Sequence, residues 1–331
     1  MRSRSFGRAL ALVVLFAAPA PRAGATCGST ACFLVTQTSE GAASKGTLTA
    51  DLSFQYVDQS RLLSGSDEVG EVLTPGIDFE AGEIEPDHHR EIRTQTAIVR
   101  ADLVYGLTER LSLAGTIPLW NVKDHEHFVE AGTPEEAFSG QDGTSGFGDV
   151  TVGVRYALLV RPRDLLVGGV AIKLPTGAYR LLDSQGEIDE PTIQPGSGST
   201  DGIASVYYTR SDLPGGLEAF ASTSYRSNRE NPLDYEIGDE TVVNAGASGP
   251  LGARARWSLQ VNFRRAGRDR FLGEDVDSTG STLVNVTPGL RFRTAAGSFL
   301  YALVQVPVHQ DVNEDQLAPR FGIVAGVSRS F

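Results

Sequence analysis

From residue 47 onward, apolar side chains recur at every second position. Leu48, Ala50, Leu52, Phe54 and Tyr56 alternate with Thr47, Thr49, Asp51, Ser53 and Gln55, so an extended chain there carries one apolar and one polar face. The same period marks residues 93–105, 111–119, 147–159, 165–174, 202–209, 217–226, 241–248, 254–264, 283–293, 299–308 and 320–331. The pattern predicts about twelve strands of roughly 8 to 13 residues, close to the ~9 to 11 that a tilted strand needs to cross hydrocarbon.

The connections between these segments alternate in length. Residues 106–110, 160–164, 210–216, 249–253 and 294–296 are short, whereas 59–91, 120–146, 175–200, 227–240, 265–281 and 309–319 are long. Tight turns at one end and long loops at the other are what a transmembrane antiparallel up-and-down β-barrel gives, and a soluble β-sandwich has no reason to sort its loops this way. The predicted fold class is therefore all-β, with the sheet closed because hydrocarbon cannot satisfy an open strand edge. An even strand count brings both chain ends to the periplasmic side. By the same parity Tyr105, Tyr156, Tyr208, Trp257, Phe292 and Phe331 face outward at that side as an aromatic girdle. The last segment ends on Phe331, which resembles the signal that the outer-membrane barrel-assembly machinery reads. Pro118, Pro175 and Pro307 fall at outer strand ends, where a missing amide donor is tolerated. Pro288 lies inside a predicted strand and demands a bulge or a shorter strand.

Arg2, Arg4 and Arg8, the apolar residues 9–18 and the small-x-small site at Ala23, Gly24 and Ala25 read as a cleavable signal peptide over residues 1–25. Residues 26–46 then form an N-terminal periplasmic segment and 47–331 the barrel. Cys27 and Cys32 are the only cysteines. In an oxidising compartment this pair is expected to close one small disulfide loop, and two cysteines alone make a poor metal cage. Thr26, preceding Cys27, fits lipoprotein processing poorly.

Composition changes the picture only once the parity is known. The chain of 331 residues is 40% hydrophobic with a net charge of −12, and 29 basic against 41 acidic residues speak against a nucleic-acid partner. Four arginines and no acid lie in residues 1–25, which takes the mature chain to −16. The six long connections together carry −23, so strands, turns and the N-terminal segment carry +7. Acid collects outside and base within. Inward by parity are Arg100, Arg155, Lys173, Arg226, Arg256, Arg264 and Arg291, opposed by Asp51, Asp102, Asp149 and Glu218. These charges either pair across strands to fill a narrow barrel or line a permeation path that favours anions and polar solutes. The acidic loops suit divalent cations that bridge anionic lipopolysaccharide and outer-membrane lipid.

All five histidines fall in predicted external loops: His88 and His89, His125 and His127, and His309. Their three hairpins become neighbours once the last strand pairs with the first. With Asp87, Asp124, Glu126 and Asp311 beside them, they offer a divalent transition metal the ligand types it accepts, and the alternative is a set of solvated histidines. No nucleophile elbow, H-E-x-x-H pair or phosphate loop occurs, so no catalytic residue and no other cofactor is predicted. A lumen wall that assembles Ser, His and carboxylate without a linear motif is a third reading.

GFGDVTVGVRYALL (146–159), VAIKLPTGAYRL (170–181) and PGSGSTDGIASVYY (195–208) resemble the bacterial outer-membrane family named for the MetA-pathway of phenol degradation. The resemblance runs from about Thr96 to Phe331 and implies an outer-membrane β-barrel importing hydrophobic or aromatic compounds. The Cys27/Cys32 pair and the long acidic first loop depart from it. The combined expectation is a channel for passive uptake of small solutes in the bacterial outer membrane. The competing expectation is a non-transporting surface protein whose histidine loops bind metal or a partner.

Overall fold

Residues 41–331 are described by the computed structural model. The predicted signal peptide and the Cys27/Cys32 pair lie outside them. Twelve strands form the wall: β1 (Leu48–Ser64), β2 (Glu83–Gly106), β3 (Leu111–Val129), β4 (Thr151–Val160), β5 (Asp164–Lys173), β6 (Asp201–Leu213), β7 (Leu217–Ser227), β8 (Glu240–Pro250), β9 (Ala255–Ala266), β10 (Ser281–Arg293), β11 (Phe299–Val312) and β12 (Asp315–Ser330). Each pairs antiparallel with its sequence neighbours, and β1 also pairs with β12 from Thr49↔Ser330 to Ser64↔Asp315, which closes the sheet. Phe331 completes that seam by exchanging backbone hydrogen bonds with Leu48 in both directions.

The residues sort across the wall as alternation requires. Asp51, Ser53 and Gln55 are buried within, whereas Leu52, Leu113, Val154, Val170, Val243, Val261, Leu290 and Val304 are exposed on the outside. A soluble protein has the reverse, so this outer surface is a lipid-facing band. Tyr105, Tyr156, Phe292 and Phe331 are exposed at its periplasmic edge. Near the opposite edge lie exposed Trp120 and the Tyr56–Phe321 ring pair, 6.0 Å between centroids. Pro288 needs no bulge: the ladder to β9 runs through it, with Leu259↔Pro288, and the ladder to β11 skips Thr287 and Pro288 in unchanged register.

The rim differs from expectation. Segments read as loop continue β2 and β3 well past the band, and Ala137–Gly146 folds back to pair with the outer half of β3. Periodicity hid this extension because both faces there carry polar residues, outside lipid. Strands β4 and β5 stop at Thr151 and Lys173, so the wall is tall at β1–β3 and low at β4–β6.

Lipid exposure of the band predicts a depth-dependent cost of charge. In urea titrations of vesicle-folded protein, Val261→Arg near mid-depth should cost about 2–4 kcal/mol, and Val308→Arg near the outer edge about 0–1 kcal/mol.

Candidate functional site

Two pieces of chain enter the lumen. At the periplasmic mouth Ala42 packs against Val167, Tyr207 and Phe220, and Ala43 bonds through its amide to Ser112 Oγ at 3.1 Å. Residues 41–46 thus occupy that mouth, beside a wall patch that is apolar where parity normally supplies polar side chains. Glycine makes room for it: a Cβ on Gly246 would lie 2.6 Å from the Phe220 ring.

From the other side the connection between β5 and β6, residues 174–200, folds inward from the low rim and reaches the tall wall. Ile193, Gln194, Pro195, Gly196 and Ser199 are buried. Asp149 holds the base of this loop, accepting from Gly177 N (2.9 Å), Ser197 N (2.8 Å), Ser197 Oγ (2.9 Å) and Lys173 Nζ (3.0 Å). Lys173 also pairs with Asp201 at 2.7 Å, and Asp201 accepts from Ser199 Oγ at 2.8 Å. On β3 and the segment paired with it, Lys123 Nζ donates to Thr192 O (2.5 Å) and Gln194 O (3.1 Å), Asn121 Nδ2 donates to Pro195 O (3.2 Å), and Thr144 Oγ1 donates to Ile193 O. Gln194 braces the loop from within, taking Leu181 N and giving to Leu181 O and Asp189 O. Buried charge-assisted bonds are the strong ones, so the loop is clamped across the mouth.

The inward residues named from the sequence all face the lumen, and most are paired. Arg100 Nε meets Asp102 at 2.7 Å, Arg264 meets Glu240 at 2.6 Å and Arg256 lies 3.9 Å from Glu218. Arg291 stacks over Phe299 at 4.0 Å, and Asp51 accepts from Tyr301 Oη at 2.6 Å. Arg155 and Arg226, with Arg100, line a lumen cavity of ~270 Å³. This shares Arg100, Thr116, Thr151 and Arg226 with a ~160 Å³ cavity beneath the infolded loop. That one in turn shares Pro191, Thr192, Asn228 and Ile237 with a ~90 Å³ cavity under the outer loops. Above it Tyr235, Phe271 and Val276 pack with Ile77, Phe79, Ile84 and Ile237 as an apolar roof. Asp149 and Lys173, read as path-lining charges, serve chiefly as the loop's anchors. Sequence reasoning missed the loop's inward course, and the one signal for it was a proline- and glycine-rich run carrying Ile188 and Ile193.

The histidines correct the loop assignment. His88 and His89 lie on β2, and His125 and His127 on β3, in the extensions above the band. His125 is 0% exposed, His127 3% and His89 8%. Imidazole pairs His88/His89 and His125/His127 meet edge to face, at centroid distances of 4.4 and 4.0 Å, and His89/His127 pack tilted at 4.6 Å. His89 Nδ1 lies 3.1 Å from Glu190 of the infolded loop, and His125 Nε2 lies 3.6 Å from Glu91. His309 does not join them: it points outward on β11 and is exposed. Burial and then the neighbouring Glu190 charge push Glu91 up to about 8. Burial acts to raise Glu190 too, but the His89 hydrogen bond and the three imidazoles hold it down at about 2. Burial opposes charge on His89, and Glu190 outweighs it, raising His89 from its usual value.

The sequence model of the family described as the MetA-pathway of phenol degradation matches residues 85–313. No curated protein matches the chain. Its fold is similar to the crystal structure of an outer-membrane channel from Pseudomonas putida F1, with a TM-score of 0.61 and 14% identity over 90% of this chain and 100% of that one. The toluene transporter TodX of P. putida aligns with a TM-score of 0.43 and 11% identity over 87% and 90%.

If the clamp closes the mouth, Asp149→Ala should free the base of the loop. Planar-bilayer recordings should then show larger and noisier unitary currents than the wild type, and identical currents would mean that the loop stays in place without Asp149.

Proposed function

The chain belongs to the family of the MetA-pathway of phenol degradation, and on that premise we propose that it is an outer-membrane channel for passive uptake of small hydrophobic or aromatic solutes. The barrel stands in the bacterial outer membrane, where its apolar band meets lipid and its acidic loops face outward. What supports this solute class is the lumen itself. Its charges are largely neutralised in pairs, and apolar stations stand near both ends: Ile77, Tyr235, Ile237 and Val276 above, Val167, Tyr207 and Phe220 below. A path of paired charges between apolar stations offers little to a free ion and suits a compact, weakly polar ring. The cavities that connect the stations are of small-molecule size, not the open water column of a large porin.

Lipopolysaccharide is the barrier that such a solute must pass, so the test needs it. Vesicles with a lipopolysaccharide outer leaflet should take up a small aromatic fluorophore several-fold faster with the barrel than without. Equal rates, together with no ionic conductance, would leave the non-transporting surface protein as the better reading. Phe220→Asp, which places a charge in the lower station, should slow uptake of the fluorophore at least about tenfold if the station is on the path, since an unpaired buried charge costs well over 1.4 kcal/mol.

A further inference from the structure

We propose that the outer wall and the infolded loop together form a binding site for one divalent transition-metal ion, held by His89, His127 and Glu190, whose binding latches the loop across the lumen.

His89 and Glu91 alternate on β2, and His125 and His127 on β3, so all four side chains project to the inner face of the tall wall. The register sets Glu91 opposite His127 and Thr94 opposite His125, which stacks the two strands' ligands side by side. Glu190 arrives from the loop. One ligand atom from each of His89, His127 and Glu190 lies within 4.8 Å of the others, and Glu91, His125 and Glu190 form a second such group that shares Glu190. Tetrahedral ligands at ~2.0–2.1 Å from zinc are roughly 3.4 Å apart, so closure onto an ion shortens any pair of ligand atoms by at most about 1.4 Å. The His89–Glu190 contact is already at 3.1 Å.

The chemistry selects the class of ion. Two imidazoles and one carboxylate suit zinc, cobalt, nickel or copper and are poor ligands for calcium or magnesium. Three protein ligands leave a fourth position for water. A cavity of ~120 Å³ provides the approach, lined by His88, Glu130, Asp183, Glu187 and Asp189 beside the ligands. Its carboxylates draw cations towards the site. His125 and Glu91 stand behind the ligands, 3.6 Å apart, as the outer layer that orients such sites. Gly76 allows the packing around His88, since a Cβ there would meet His88 Nδ1 at 2.8 Å. The ligands come from two barrel strands and from the loop that blocks the mouth, so bound metal ties the movable part to the fixed part.

The test uses the full-length, tag-free protein folded in detergent, with its folded state confirmed by heat-modifiable gel migration. Titration with cobalt(II), followed by its visible d–d absorption, should show one ion per chain, displaced by zinc(II) and removed by chelator. Glu190→Gln and His127→Gln should each weaken binding at least about tenfold, and His309→Gln should leave it unchanged. Zinc should slow hydrogen exchange at residues 189–197 in the wild type and not in Glu190→Gln. Absence of cobalt uptake, or wild-type affinity in both ligand variants, would overturn the site. Binding without protection of residues 189–197 would overturn the latch. Neither readout requires that the barrel conduct anything, so failure here and failure of the uptake reading are separable.

Discussion

In hydrocarbon a backbone amide has no water to fall back on, and every other feature of this chain follows from the seam that removes its last open edge. Leu48–Ser64 and Asp315–Ser330 are far apart in sequence yet pair over almost their whole length. Closing the sheet divides each strand into a lipid side and a lumen side and confines the lumen to a narrow bore. Polar side chains that line a narrow bore face one another at short range and with little water. They are therefore paired, as Arg100 with Asp102 and Arg264 with Glu240 are. A charge left alone there would be costly.

The same confinement lets one loop reach several strands of the wall at once. A connection as long as residues 174–200 could lie outside in solvent, at the expense of exposing Ile193 and leaving Lys123 without the carbonyls of Thr192 and Gln194. Instead it folds in from the low rim and docks on β2 and β3, which rise above the membrane. Unequal wall height makes this geometry available: the tall side offers a landing surface that the low side lacks.

Strand number, parity, seam and girdle were legible in the sequence, because a lipid-facing band imposes a period of two that little else produces. Strand ends at the outer rim were not. Above the band both faces of β2 and β3 meet water or loops, so the alternation that marks a strand fades while the hydrogen-bonded ladder continues. The histidines show the consequence. The H-x-H spacing of His125 and His127 puts both on one face of an extended strand, yet their depth of burial depends on Glu190 arriving from a loop more than sixty residues later, which no local pattern announces. His309 had the same composition nearby and the same neighbouring hairpin, and a single step of parity sent it outward. Parity alone assigns the lumen charges to the inner face, but their partners come from other strands and from the loop, so their roles as anchors or lining follow only from the register.

The segment that fills the periplasmic mouth has a different relation to the wall from that of the outer loop. Residues 41–46 lead directly into β1 and meet the wall through Ala42, Ala43 and a backbone bond from Gly46 to Gly106, whereas the outer loop is fastened by buried ion pairs. One closure therefore rests on small apolar side chains and backbone next to the seam, the other on charged groups whose partners lie on the wall. The two ends of the bore are thus closed by unlike means within one cylinder, an apolar contact at one end and buried charge at the other.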